Sequence, residues 1–467
     1  MAKKIALLLS ILMLATCIFA GCATEDYTFS GLKGDTKGLV SSNGGVVVEK
    51  GDYLYYINGA VANNSSNNFG EVIEGSICRI LKTDFDSAVK SSTVTEEIAS
   101  KSQVVVPKIF YQGQLQDRIN SGIYIFEDRI YYYTPSTELD RNAAIMYYET
   151  CLKSCALDGT DTQHLYTFKT NPVSAVLSSL SNVDGKLFVT FNYITKTADA
   201  GLAEKDKVKY NKEFKEYENK LFVLDVASGL VEQIDAETEI VVVKYNWQTG
   251  VAYYLNQDMN EIKKYVVGGK PTTVIKSTEE KLEFLNLVDD QLFIKTTKKA
   301  DGIATIKTVK PDGTISVISN YIYSTFRGLA NGYLFVSGQG SVGVYDSATN
   351  SYKYTTETKA SISFISVIGN YLYYTLSECK NTAIEDGIYR VDITADKLVE
   401  EFITSKKIYT NFASIDVAYG YVFFINSEKA DKRRNVYPLN CVELANLREE
   451  KLFDLTKYVI PVLDPTK

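Results

Sequence analysis

Histidine is almost absent from this chain: His164 is the only one in 467 residues. A serine–histidine triad would have to use it, yet Gln163-His164-Leu165-Tyr166 carries no motif that points there, and a histidine at a surface or strand end explains it. Zinc is equally short of ligands, because there is no second histidine and no Cys-x-x-Cys spacing. No Gly-rich phosphate loop sits between a strand and a helix, and no Gly-x-Ser-x-Gly elbow is present. The net charge of −7 comes with no basic stripe, which speaks against nucleic acid as a partner. Past the first two dozen residues there is no long apolar run of the kind that spans a bilayer.

Cysteine is sparse and unpaired in pattern. Of the seven, Cys17 and Cys22 lie at the N-terminus, leaving Cys78, Cys151, Cys155, Cys379 and Cys441, an odd number that argues against a full disulfide framework. Cys151 and Cys155 fall in one expected strand, which holds them roughly 13 Å apart. A bridge tolerates a Cα separation of only ~7 Å. Buried free thiols are therefore expected. Asp158-Gly159-Thr160-Asp161 offers two carboxylates, short of the oxygen count that calcium takes.

The N-terminus is an address. Lys3 and Lys4 precede an apolar run from Ile5 to Ile18, and Phe19-Ala20-Gly21-Cys22 follows. This reads as a secretory signal. The small-small-Cys ending resembles the bacterial lipobox, with Phe19 where that pattern prefers Leu. The resemblance implies cleavage before Cys22 and lipid on its thiol; the alternative is an uncleaved membrane anchor. Residues 1–21 are then a signal peptide, 22–38 a tether and 39–467 one domain. The expected location is outside the cell, lipid-anchored on the outer face of the bacterial cytoplasmic membrane or in the envelope.

What the chain has in quantity is one phrase. Gly51-Asp52-Tyr53-Leu54-Tyr55-Tyr56 returns, in variants, with its second turn residue at Asp128, Gly185, Gly250, Asp290, Gly332, Asn370 and Gly420. Each copy is a turn dipeptide and then a strand whose third position is always Tyr or Phe. Side chains alternate faces along a strand, so successive apolar positions place bulk on both faces of the sheet. Within the seventh unit, strands are expected at Phe364–Ile368, Tyr371–Leu376, Ile388–Ile393 and Leu398–Ile403. Four strands per unit, covered on both faces and repeated every ~40 residues or more, predict a β-propeller. Eight blades are expected, with seven as the alternative; Val46–Glu49 supplies the first inner strand and Lys451–Leu455 the last outer one. The aromatic strand, the Ile-Tyr-Arg strand and the Asp-Gly turn resemble bacterial exported propeller repeats of unknown function, relatives of the Tyr-Trp-Thr-Asp and TolB-like propellers. That resemblance implies architecture and carries over no functional residue.

One stretch departs from the strand pattern. Asp199 to Lys220 is charged, with Tyr210, Phe214 and Tyr217 at helical spacing, and reads as a short inserted helix: a partner-binding arm or a solvated excursion resting on the propeller. Carboxylate pairs such as Asp289-Asp290 invite comparison with glycosidases, but this pair occupies a hairpin turn, where Asp serves the backbone. Many of the 34 tyrosines fall in the repeat columns and are explained by packing.

Loop length then suggests a working face. The first connection of every unit reads as a two-residue turn. Gly59–Gly75, Pro135–Ala144, Thr195–Asn219, Ser377–Asp386 and Ser427–Asn435 all follow a second strand, so they gather at one end. Recognition is usually placed on long loops held by a rigid scaffold. Tyr193, Tyr210, Phe214, Tyr217, Arg433 and Arg434 are the expected contacts. The expected function is non-catalytic binding or scaffolding of an extracellular protein, peptide or glycan, with the membrane engaged through the N-terminal lipid and no cofactor or metal. The alternatives are a carbohydrate-active enzyme drawing carboxylates from several blades, or an envelope-assembly factor. Replacing Cys22 with Ala is expected to release the mature chain from membranes or block its processing; retention with the signal attached, read by fractionation and mass, would favour the uncleaved anchor.

Overall fold

The computed structural model describes residues 40–61, 76–107, 122–135, 150–168, 176–183, 186–194, 219–225, 228, 230–246, 249–288, 290–321, 325–330, 333–338, 341–346, 351–355, 360–408, 415–428, 436–447 and 450–452. Its fold is an all-β propeller of antiparallel, four-stranded blades, with two helices among the described residues. The described strands form eight sheets of four or more strands and one two-stranded ladder. Each sheet carries one copy of the aromatic phrase, as its second strand in all but the second sheet, where it is third. The seventh runs Ser361–Ile368, Tyr371–Ser377, Gly387–Asp392 and Glu400–Thr404, in that order from inside to outside.

Turn chemistry explains the hairpins. Gly369 (φ 59°) and the pair Tyr419 (φ 49°) and Gly420 (φ 81°) occupy the left-handed region that two-residue hairpin turns require. The fourth hairpin differs from expectation. Its strands end at Asn246 and resume at Val251, so the connection holds four residues instead of two. We name this end of the sheets, where first strands turn into second and third into fourth, the hairpin end. The other is the loop end.

The phrase packs as its alternation requires. Tyr253 and Leu255 meet Leu292 and Ile294 of the fifth sheet, while Ala252 and Tyr254 meet Leu221 and Val223 of the third. The seventh sheet does the same: Tyr373 faces Val422 and Phe424 of the eighth, and Leu372 and Tyr374 face Val342 and Val344 of the sixth. Tyrosine is used where phenylalanine would fill the space, and several of the hydroxyls have partners, though that of Tyr131 is buried without one. Tyr55 and Tyr253 donate to the carbonyls of Leu157 (3.1 Å) and Asp290 (3.0 Å) in the following sheets.

Two features were not legible beforehand. Val40–Gly45 joins the second sheet as a fifth, innermost strand, antiparallel to Ile123–Phe126, with Val40 opposite Phe126. It also lies against the inner strands of the first and third sheets. The helices α1 (Lys82–Ala88) and α2 (Val94–Lys101) occupy the third connection of the first sheet. The helix expected over Asp199–Lys220 lies mostly outside the described residues; its last residue, Lys220, belongs to the strand Asn219–Asp225.

Helix α1 covers the seam between the first and eighth sheets. Phe85 is buried edge-on against Tyr421 (5.1 Å between centroids) and also meets Tyr419 and Phe423. Tyr419 donates to Asp86 (2.7 Å), and Lys82 pairs with Glu49. Deeper in the ring, Asp416, on the eighth sheet's inner strand, accepts the backbone N–H groups of Val46 and Val47. Burial pushes that carboxyl above the ordinary range, against the two hydrogen bonds. At the loop end a ladder pairs Val61 with Val436 and Ala60 with Tyr437. Phe85→Ala is expected to lower stability by about 3–4 kcal/mol through the cavity it leaves. Asp416→Ala should cost about 2 kcal/mol by orphaning two buried donors. Urea unfolding checks both, and effects under ~0.5 kcal/mol would remove the seam from the account.

Candidate functional site

The loop end across the seventh, eighth and first sheets is the part of the described surface where long connections meet. The connection after Tyr371–Ser377 is held by its own polar groups. The Asp386 carboxylate accepts the N–H of Glu378 (3.1 Å) and Cys379 (3.0 Å), and Tyr389 donates to the carbonyl of Glu385 (2.6 Å). Those bonds hold Asp386 below the usual carboxylate range. Its neighbour is the passage into the eighth sheet, where Ser427 N–H donates to the Lys407 carbonyl (2.7 Å) and Lys406 pairs with Glu428 (3.3 Å). Beyond Glu428 the chain returns at Val436 to pair with Val61. Two of the long connections, one from the first sheet and one from the eighth, are thus tied together.

This surface carries charges of both signs: Glu378, Lys380 and Glu385 are exposed on one loop, with Glu428 beside them. Among the described residues no group of three or more His, Cys, Asp or Glu side chains stands ready for a metal. A small cavity at the seam is lined by Val47, Leu54, Tyr56, Phe85, Ile98 and Phe423, among others, and no carboxylate enters it.

Of the expected contacts, Tyr193 lies in the strand Lys186–Ile194, opposite Lys220 and one residue from the loop end. Cys22, Tyr210, Phe214, Tyr217, Arg433 and Arg434 lie outside the described residues. The described residues on either side of Arg433 and Arg434 are Glu428 and Val436. His164 sits in the outer strand Gln163–Phe168. Several carboxylates serve turns: Asp158 accepts from the Thr160 amide, Asp312 from Thr314 and Asp392 from Thr394. Asp290 accepts from Asn246 (2.8 Å) and Thr249 (2.7 Å), bracing the longer fourth hairpin. Cys78, Cys155 and Cys441 are buried free thiols, and burial pushes Cys78 and Cys155 up to about 12, far from a reactive thiolate.

Polar groups between sheets also have structural partners. Asp235, in the passage from the third sheet to the fourth, accepts from Lys263 (2.8 Å), Tyr254 (2.9 Å) and Thr238 (2.8 Å). Burial alone would raise its carboxyl; the bonds from Lys263, Thr238 and Tyr254 outweigh that and hold it below the ordinary value. Glu400 takes the corresponding place beneath Tyr374, and there burial prevails and its carboxyl rises.

No family model and no curated protein matches the chain. Solved structures of similar shape include the β-propeller domain of the Trilobed protease from Pyrococcus furiosus, at 12% identity over 70% of this chain and 92% of that one, TM-score 0.40. Prolyl endopeptidases match at 11% identity over 71% of this chain, which spans 48% of theirs, TM-score 0.43. An oligogalacturonate lyase solved with manganese matches at 10% identity over 79% and 82%, TM-score 0.38.

The Asp235 cluster gives a signed pH test. Its lowered carboxyl contributes stability that is present above the ordinary carboxylate value and lost as pH falls through the depressed one. Lys263→Met is expected to cost about 2 kcal/mol near neutrality, less than for a fully buried pair because Lys263 keeps some solvent. The deficit should narrow below pH ~4, as Asp235 takes up a proton. A deficit constant from pH 7 to pH 3 in thermal unfolding would contradict this.

Proposed function

We propose that the chain is a membrane-tethered extracytoplasmic propeller whose loop end binds or scaffolds a protein, peptide or glycan without catalysis. The carrying observation is the ladder of Ala60–Val61 with Val436–Tyr437, which joins two long connections on one end. The braced loop before Asp386 adds a third element to the same surface. A rigid ring presenting several loops at one end is a scaffold suited to recognition. Arg433 and Arg434 are proposed contacts, together with Tyr193, Tyr210, Phe214 and Tyr217.

We further propose that the eight sheets form one closed ring of eight blades. Support comes from apolar clusters that each span two successive sheets, and from the first sheet's inner strand lying against that of the eighth. Tethering through Cys22 remains part of the proposal. The carbohydrate-active alternative requires carboxylates to converge, within about 5–10 Å, on a pocket. Two described carboxylates, Asp235 and Glu400, instead accept hydrogen bonds from tyrosines.

Hydrogen exchange on the full chain, with and without a binder selected from extracytoplasmic proteins, peptides and envelope glycans, tests the binding face. Slowed exchange is expected over 377–386, 427–428 and 436–437. Protection confined to hairpin turns such as Gly51-Asp52 would overturn the proposal, and turnover of an oligosaccharide would favour the enzyme.

A further inference from the structure

The innermost strand Val40–Gly45 has a direction, and that direction orients the molecule. It runs antiparallel to Ile123–Phe126, with Gly45 opposite Ile123 and Val40 opposite Phe126. Phe126 is the last residue before the hairpin turn Glu127-Asp128, so Val40 lies at the hairpin end. The chain therefore rises from the hairpin end as this strand and turns at the loop end beside Asp416. It descends again as Val47–Lys50. Because the strand is the innermost of its sheet and touches the inner strands on both sides, it lies next to the axis. Covalent continuity then fixes the point where the chain enters Val40: near the axis, at the hairpin end.

We infer that the hairpin end faces the bilayer and the loop end faces away from it. The partner of the loop end is then one that approaches from outside the membrane, not a lipid headgroup or a protein embedded in the same bilayer. This rests on the Cys22 anchor proposed above. Val40 stands 18 positions after Cys22 in the sequence, and the root-mean-square span of a random coil of that length is roughly 25 Å. To bring the lipid to the loop end, the chain would have to cross about 15–20 Å of sheet to the rim and climb about 20 Å of strand. That path exceeds the typical span, whereas the hairpin end needs no detour. Among the described residues the hairpin end is also the one with short connections, apart from the two helices.

The fifth sheet offers a matched pair of probes. Ala300 is exposed at the loop end, between the second and third strands, and Lys310 is exposed at the hairpin end, after the third strand. In a full-length chain with Cys151 and Cys379 replaced by Ser, Ala300→Cys or Lys310→Cys is labelled with a donor dye. The lipidated protein is then placed in vesicles carrying a headgroup acceptor. With the two sites about 20 Å apart along the strand, energy transfer from position 310 is expected to be about twofold or more above that from 300. Flotation with the vesicles, set against the Cys22→Ala chain, reads the anchor separately. A chain that floats with equal or stronger transfer from 300 overturns the orientation alone. A chain that does not float overturns the anchor and the orientation together.

Discussion

The structure depends on a seam that no covalent bond closes. Sheets packed face to face around an axis each need a neighbour on both sides, because the aromatic phrase puts apolar bulk on both faces. The first and last sheets each have a consecutive neighbour on one side only, so their other faces must find each other. Here the apolar residues of the two sheets merge into one cluster that also takes in Phe85 and Ile98 from the helices. The helices brace the seam at the hairpin end, the 60–61/436–437 ladder braces it at the loop end, and Asp416 ties the chain's first turn to the last sheet's inner strand. Every described sheet except the second draws its strands from one continuous stretch of sequence. Among the described residues the two ends are joined by packing and these clasps, and the closed ring proposed above rests on them.

Tyrosine solves a second problem that the seam makes acute. Sheets that pack radially diverge towards the rim, and a Phe column would fill the space without fixing relative position. The hydroxyls add directional contacts. Tyr55 and Tyr253 reach main-chain carbonyls in the next sheet, while Tyr254 and Tyr374 reach Asp235 and Glu400. Burial pushes the hydroxyls of Tyr253 and Tyr254 upward, so they stay protonated donors at neutral pH. The abundance of tyrosine thus reflects blade alignment first, which is why its count says little about ligands.

The repeat was legible because its columns are strict: a turn pair, an aliphatic residue, then Tyr or Phe. The seventh unit's four strands fall within a few residues of where the pattern put them. The fourth hairpin was misjudged because Thr249-Gly250 looks like a complete turn, and only the pairing of Asn246 with Val251 reveals the longer connection. Helix α1 did leave a signal: Phe85, Ala88 and Val89 stand at helical spacing and all three are buried. The strand Val40–Gly45 left none, since Ser41-Ser42-Asn43-Gly44 has no apolar alternation and its existence follows from a partner far along the chain. Asp416 was likewise invisible, a lone carboxylate in an apolar strand whose role is set by backbone donors 370 residues earlier. Of the candidate surface, loop lengths gave the end of the ring. The pairing that ties two of its loops together needed the structure.

Closure of the seam is the claim on which the rest stands, and a distance across it tests that claim most directly. Spin labels at Asp52→Cys and Ala445→Cys sit on exposed hairpin-end turns of the first and eighth sheets. With those sheets packed about 10 Å apart, a single narrow distribution near 15–25 Å is expected by double electron–electron resonance. A broad distribution extending past about 40 Å, as in an open crescent whose end sheets are several sheet-widths apart, would contradict the account.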